Sequence, residues 1–146
     1  MKIEDFLAPQ NTVLDVKAAD KARLIRDLGA RAAAALSLDA ETVTQALLKR
    51  EDLGSTGVGA GVAIPHANIA GLSKPFGLFA RLKKPLAFDA IDGEPVDLVF
   101  LLLQPANAKS DLNALAAVAR RLREPDRLER LRAATDDAHA YQILST

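Results

Sequence analysis

The chain contains no cysteine, which removes disulfides, thiolate metal ligands and thiol nucleophiles together and agrees with a reducing compartment. It also lacks a net charge, because nineteen Lys and Arg residues balance nineteen Asp and Glu residues. Without a large positive field there is nothing to hold a polyanion such as DNA by counterion release, so nucleic acid is not an expected partner. No apolar run approaches the roughly 20 residues that span a bilayer, and the opening Met1-Lys2-Ile3-Glu4-Asp5 is too acidic and too polar for a signal peptide. The expectation is a cytoplasmic protein with no direct membrane insertion. Histidines number only two, His66 and His139, and no HExxH or comparable spacing joins them to carboxylates. A zinc site is therefore not expected, and no other cofactor is called for. A length of 146 residues suits one domain spanning residues 1–146, with one core and about two-thirds of the unfolded chain's surface buried.

What is present reads as alternating strands and helices. Thr12-Val13-Leu14-Asp15-Val16 has the period-two mixture of a strand, and Asp20 stands where a helix N-cap belongs. From Lys21 to Leu36 the apolar positions Leu24, Ile25, Leu28, Ala32, Ala35 and Leu36 recur at three and four, which predicts a helix with one core-facing stripe. Asp39 predicts the cap of a second helix carrying Val43, Ala46, Leu47 and, near its C-terminal end, Arg50. Prolines 75, 85, 95 and 105 bracket two apolar segments, Phe76 to Leu82 and Val96 to Leu103, both expected as strands. The second is apolar almost throughout, as a central strand covered on both faces must be. Ser110 or Asp111 can cap a helix with Leu112, Leu115, Val118 and Leu122, Pro125 can open another, and Thr135 is the expected cap of the last. With no repeat or linker, this order predicts an α/β fold, a single three-layer α/β/α domain.

Between Gly54 and Gly61 lie four glycines, a serine and a threonine, the composition of an exposed loop rather than a packed element. The loop leads into Val62-Ala63-Ile64 and then Pro65-His66, where proline ends regular pairing and holds His66 at an element's edge. A nucleotide reading fails: GxxxxGK[ST] needs a lysine that Gly54-Ser55-Thr56-Gly57-Val58-Gly59-Ala60 lacks, and GxGxxG fails at Val62. What remains is a hydroxyl-rich loop with backbone donors, a guanidinium upstream in Arg50 and an imidazole downstream in His66. That set suits a phosphoryl group, since the donors can surround its oxygens, arginine can neutralise its charge, and a neutral imidazole nitrogen attacks phosphorus without a metal. Such donors support transfer from a reactive donor rather than hydrolysis of a stable ester.

The run Arg50-Glu51-Asp52-Leu53-Gly54-Ser55-Thr56-Gly57-Val58-Gly59-Ala60-Gly61-Val62-Ala63-Ile64-Pro65-His66-Ala67 resembles the active-site signature of enzyme IIA components of the fructose, mannitol and nitrogen-regulatory phosphotransferase class. Leu86-Ala87-Phe88-Asp89-Ala90-Ile91-Asp92-Gly93-Glu94-Pro95-Val96-Asp97-Leu98 resembles the nitrogen-regulatory branch in particular. The resemblance spans nearly the whole chain and implies a mixed sheet between helices. It implies that His66 is phosphorylated by an HPr-type phosphocarrier, itself charged by an enzyme I fed with phosphoenolpyruvate. Arg50, Ser55, Thr56 and Gly57 are then the residues around the phosphoryl group. It also implies a regulatory phosphocarrier that signals its state to target proteins, kinases and potassium transport among them, in nitrogen, carbon and potassium regulation. The alternatives are a fructose- or mannitol-specific component passing phosphate to an enzyme IIB domain, and a binding module that carries no phosphate.

One departure stands out. Many relatives place a second histidine, in an HLxxL pattern, near the phosphorylated one, where this chain reads Asp111-Leu112-Asn113-Ala114-Leu115. Asp111 and Asn113 are thus candidates to orient or modulate His66. An Asp111 carboxylate within about 4 Å of a phosphoryl oxygen would cost on the order of 4 kcal/mol at an effective dielectric near 20, unless a cation such as Lys109 intervenes. Alternatively it accepts a hydrogen bond from the imidazole and sets its tautomer. The plainer readings are that Asp111 only caps a helix, Ser55 and Thr56 only shape a turn, and Arg50 is a solvated helix residue or a partner of Glu51. His139, in the terminal helix, receives no role.

Overall fold

Two side-chain caps start the first helices where the sequence puts them. The Asp20 carboxylate accepts from the Arg23 N–H at 2.8 Å, and Asp39 accepts from the Thr42 N–H at 2.9 Å, each satisfying a donor that the first helical turn leaves unpaired. A computed structural model describes residues 1–106 and 112–146, the Leu112 side chain excepted. Its elements are β1 (Leu7–Val16), α1 (Lys21–Leu36), α2 (Ala40–Asp52), β2 (Gly57–Gly59), β3 (Val62–Ala63), β4 (His66–Ile69), β5 (Phe76–Leu86), β6 (Val96–Pro105), α3 (Leu112–Arg121), α4 (Pro125–Ala133) and α5 (Asp137–Ser145).

The six-stranded sheet has the order β1-β5-β6-β3-β2, with β4 also paired to β6. β1 runs parallel to β5, β5 antiparallel to β6, and β3 and β4 parallel to β6, so the sheet is mixed as the resemblance implies. Alternation along β6 splits its side chains between two apolar clusters rather than the one core expected. Val99, Leu101 and Leu103 pack with Leu24, Leu28, Val43 and Leu47 of α1 and α2, while Leu98, Phe100 and Leu102 pack with Val118, Leu128, Leu131 and Ile143 of α3, α4 and α5. This is the three-layer α/β/α arrangement: a central strand covered on both faces generates one cluster per face.

Several boundaries differ from expectation. β1 begins at Leu7 rather than Thr12, and β5 runs past Leu82 through Pro85. Its ladder with β6 is irregular between Arg81 and Leu86, the kind of place that tolerates a residue with no N–H. The cap of α5 is Asp136, whose carboxylate accepts from the His139 N–H at 2.8 Å, not Thr135. The expected cap at Ser110 or Asp111, and the Lys109 cation, lie outside the described residues. Pro125 opens α4 as predicted, and Arg81 fastens the far end of that helix by donating through Nη1 to the carbonyls of Leu131, Arg132 and Ala134.

Close approach explains one glycine. Phe6 and Phe100 meet edge to face with centroids 6.2 Å apart, and a Cβ on Gly77 would stand 2.8 Å from the Phe100 ring and 3.2 Å from Phe6. Gly77→Ala is expected to lower stability by about 1–3 kcal/mol, the usual cost of overpacking. Urea unfolding followed by far-UV circular dichroism checks it; an unchanged midpoint would show that the ring pair yields without strain.

Candidate functional site

The site begins with a proline in the wrong place for a strand. β3 and β4 lie along the same edge of β6 in one continuous register, Val62 opposite Leu98 and His66 opposite Leu102. Ile64 and Pro65 interrupt them. Pro65 has no N–H to give the ladder, although its carbonyl still accepts from Leu102 N–H at 2.9 Å. Ile64 turns away, its N–H donating to the Thr56 carbonyl at 2.9 Å and its carbonyl facing His66 Nδ1 at 2.8 Å. A carbonyl can only accept, so Nδ1 carries a hydrogen, and in the neutral ring Nε2 is the nitrogen with the lone pair. Pairing thus resumes at His66, which opens β4 instead of lying where pairing stops. Its ring is half-buried.

The glycine-rich segment is not a bare loop, because Gly57–Gly59 and Val62–Ala63 form a hairpin. Its two turn residues, Ala60 and Gly61, both have positive φ, 57° and 78°, which matches the right-handed twist of the flanking strands. At Gly61 a Cβ would run into the Arg132 guanidinium and the Asp97 carboxylate. Arg132 forks onto Asp97 with two bonds of 2.9 Å and donates to the Ala60 carbonyl at 2.6 Å, tying α4 to the turn. From the other side Asp92 accepts from Glu94 N–H at 3.1 Å and Ala60 N–H at 3.0 Å. These two backbone donors, Glu94 first, hold its carboxyl below the ordinary Asp range.

Behind the hairpin sits a buried carboxylate that the sequence reading did not single out. Glu51 accepts the Thr56 N–H on Oε2 at 2.8 Å and the Thr56 hydroxyl on Oε1 at 2.5 Å. Lys21 Nζ lies 2.8 Å from the same Oε2, donates to the Phe88 carbonyl at 3.1 Å and stands 4.8 Å over the Phe88 ring. The Ser55 hydroxyl also donates to Phe88, at 2.6 Å, and accepts from Gly57 N–H at 3.0 Å. The donors of Ser55, Thr56 and Gly57, expected around a phosphoryl group, are here engaged by Phe88, Glu51 and Ser55 in turn. No local signal marks Glu51 or Lys21 in the sequence: one lies between Arg50 and Asp52 in an acidic and basic helix end, the other thirty residues upstream.

Arg50 does not pair with Glu51. Its Nη1 donates to the Gly54 carbonyl at 2.8 Å, and no carboxylate partner for it occurs among the described residues. α2, the helix that carries Arg50, lies against β4, the strand that His66 opens. Asn113 is exposed on α3, and Asp111 lies outside the described residues. His139 is exposed on α5.

The chain is similar to known proteins in both sequence and fold. The family described as "Phosphoenolpyruvate-dependent sugar phosphotransferase system, EIIA 2" matches residues 5–146. The nitrogen regulatory protein of Bradyrhizobium diazoefficiens is 46% identical over 146 residues, covering 99% of this chain and 95% of that protein. That of Escherichia coli K12 is 41% identical over 147 residues, covering 99% and 90%. The crystal structure of nitrogen regulatory protein IIA-Ntr from Neisseria meningitidis is similar with a TM-score of 0.91 at 38% identity, covering 97% of this chain and 98% of that one. No helix among the described residues is long and apolar enough to cross a membrane.

Asp92 gives the hairpin a pH dependence with a definite sign. Because folding lowers its pKa, its contribution is present above the unfolded value, about 3.9 for Asp, and is lost as the pH falls through the folded value. Asp92→Asn is expected to be less stable than the parent at pH 6 and to converge with it below that range. Urea titrations at stepped pH test this, and a constant gap down to pH 2 would remove Asp92 as the cause.

Proposed function

The chain belongs to the EIIA 2 family of the phosphoenolpyruvate-dependent sugar phosphotransferase system, and on that premise we propose that it is a regulatory phosphocarrier that takes a phosphoryl group on His66 Nε2 from an HPr-type carrier. The observation that carries this reading is the 2.8 Å bond between His66 Nδ1 and the Ile64 carbonyl. It puts the hydrogen on one ring nitrogen and leaves a lone pair on the other, which is what an in-line attack on phosphorus requires.

In the transfer, the Nε2 lone pair forms the new N–P bond while the bond between phosphorus and the carrier's imidazole breaks, its electron pair returning to that ring. His66 keeps its Nδ1 hydrogen and becomes cationic as it is phosphorylated. The Ile64 carbonyl dipole, already aimed at that hydrogen, stabilises the charge that develops there. Arg50, held to the loop through one nitrogen, has further donors for the phosphoryl oxygens, and arginine's planar fork suits them. Ser55, Thr56 and Gly57 contribute by fixing the loop against which the group sits.

Regulation is favoured over sugar uptake by the relatives, which at about 40–46% identity across nearly the whole chain are nitrogen regulatory proteins. On this reading the phosphorylation state is signalled to target proteins in nitrogen, carbon and potassium regulation.

Incubation with phosphoenolpyruvate, enzyme I and the HPr-type carrier is expected to add the mass of one phosphoryl group, acid-labile, base-stable and absent in His66→Ala. Arg50→Ala should slow labelling about 100-fold, the usual loss for one preorganised donor. An unlabelled wild-type protein would sink the phosphocarrier reading and leave a binding module. If label moves on to sugar when fructose or mannitol permease membranes are added, the protein serves uptake instead.

A further inference from the structure

A connected set of hydrogen bonds runs from the interior of the protein to the nucleophilic ring. Lys21 and both Thr56 donors converge on the Glu51 carboxylate; the Thr56 carbonyl receives the Ile64 N–H; the Ile64 carbonyl receives the His66 Nδ1 hydrogen. We propose that Glu51 is a positioning residue for His66, holding it, through Thr56 and Ile64, in the tautomer with the lone pair on Nε2. Only the effect on transfer rate rests on His66 being the phosphoryl acceptor; the effect on tautomer does not.

The chemistry of Glu51 suits this task better than plain packing does. Three donors meet it: an N–H, a hydroxyl and an ammonium. An ionised carboxylate is the side chain that accepts all three at once, whereas an amide turns a donor toward one of them. Glu51 is buried, so its bonds are not exchanged with water and their geometry is well defined. Clamped at both its N–H and its hydroxyl, Thr56 has its carbonyl direction set, and that carbonyl sets Ile64 from one side.

The other side of Ile64 is set by Pro65, whose ring restricts φ and whose carbonyl accepts from β6 at Leu102. Ile64 is therefore anchored from two directions, and its carbonyl has one place to point. Releasing the Glu51 anchor frees half of this frame. A free neutral histidine favours the opposite tautomer, with hydrogen on Nε2, so the native form needs an acceptor held at Nδ1. If Glu51 merely stiffened the fold, its loss would lower stability and leave the ring of the folded protein unchanged.

The test is a two-bond proton–nitrogen correlation spectrum of the imidazole rings at a pH where they are neutral. With two histidines in the chain, His139→Gln assigns the signals. The wild-type His66 should show hydrogen on Nδ1. In Glu51→Gln the signature should move toward Nε2–H, and labelling by phosphoenolpyruvate, enzyme I and the HPr-type carrier should slow about 10–100-fold, as for other outer partners that orient an imidazole. Thr56→Val removes only the hydroxyl bond, so it should shift both readouts the same way by less, and it carries the test if Glu51→Gln does not fold. A wild-type tautomer and rate in these folded variants would overturn the proposal. If the wild-type protein takes no phosphate but the tautomer still moves in Glu51→Gln, the positioning role stands and the acceptor reading falls.

Discussion

β6 is the constraint on which the other elements depend. It is buried on both faces and hydrogen-bonded along both edges, to β5 on one side and to β3 and β4 on the other. A strand used so fully leaves its neighbours little freedom of register, because a slip of one residue would exchange the two apolar clusters. The only irregularity allowed on the β3 and β4 edge is the one Pro65 imposes, and the imidazole sits immediately after it. The position of His66 is thus inherited from a strand buried on both faces.

Around that rigid edge the protein places a polar network where apolar packing would have been simpler. Lys21 comes from the first turn of α1, Glu51 from the last turn of α2, Thr56 from the approach to the hairpin, and Phe88 from the segment between β5 and β6. Such a network adds little net stability compared with well-packed hydrophobic groups, while loss of one member of a buried ion pair costs roughly 3–5 kcal/mol because the other charge is stranded. What it supplies is direction. Apolar contacts tolerate small rotations, and hydrogen bonds to a carboxylate do not. Lys21, the Glu51–Thr56 stretch and Phe88, from three separate parts of the chain, are brought together beside the strand that His66 opens.

Much of the frame was legible in the residues. Asp20, Asp39 and Pro125 mark helix starts by local chemistry, and the stripe from Leu24 to Leu36 reports its own element. The sequence groups His66 with Arg50 through the glycine- and hydroxyl-rich segment between them. The hairpin was not, since its turn depends on positive φ at Ala60, an alanine that carries no signal for it. Thr135 and Asp136 are both good caps by residue type, and Asp136 is the one that accepts from the first turn of α5. Glu51 was hidden for a different reason. Its distant partner Lys21 lies thirty residues upstream, its near partner Thr56 lies beyond the helix end, and a glutamate between an arginine and an aspartate looks like solvated surface.

The bond from His66 Nδ1 to the Ile64 carbonyl also bears on departure. A ring that holds its Nδ1 hydrogen while phosphorylated is cationic, so it departs from phosphorus as neutral imidazole, a good leaving group. On the phosphocarrier reading, the contact that makes His66 receptive is then the one that keeps it willing to give. Such a site works as a relay between partners of similar phosphoryl potential and is poorly suited to long storage, so its occupancy tracks the upstream supply from moment to moment.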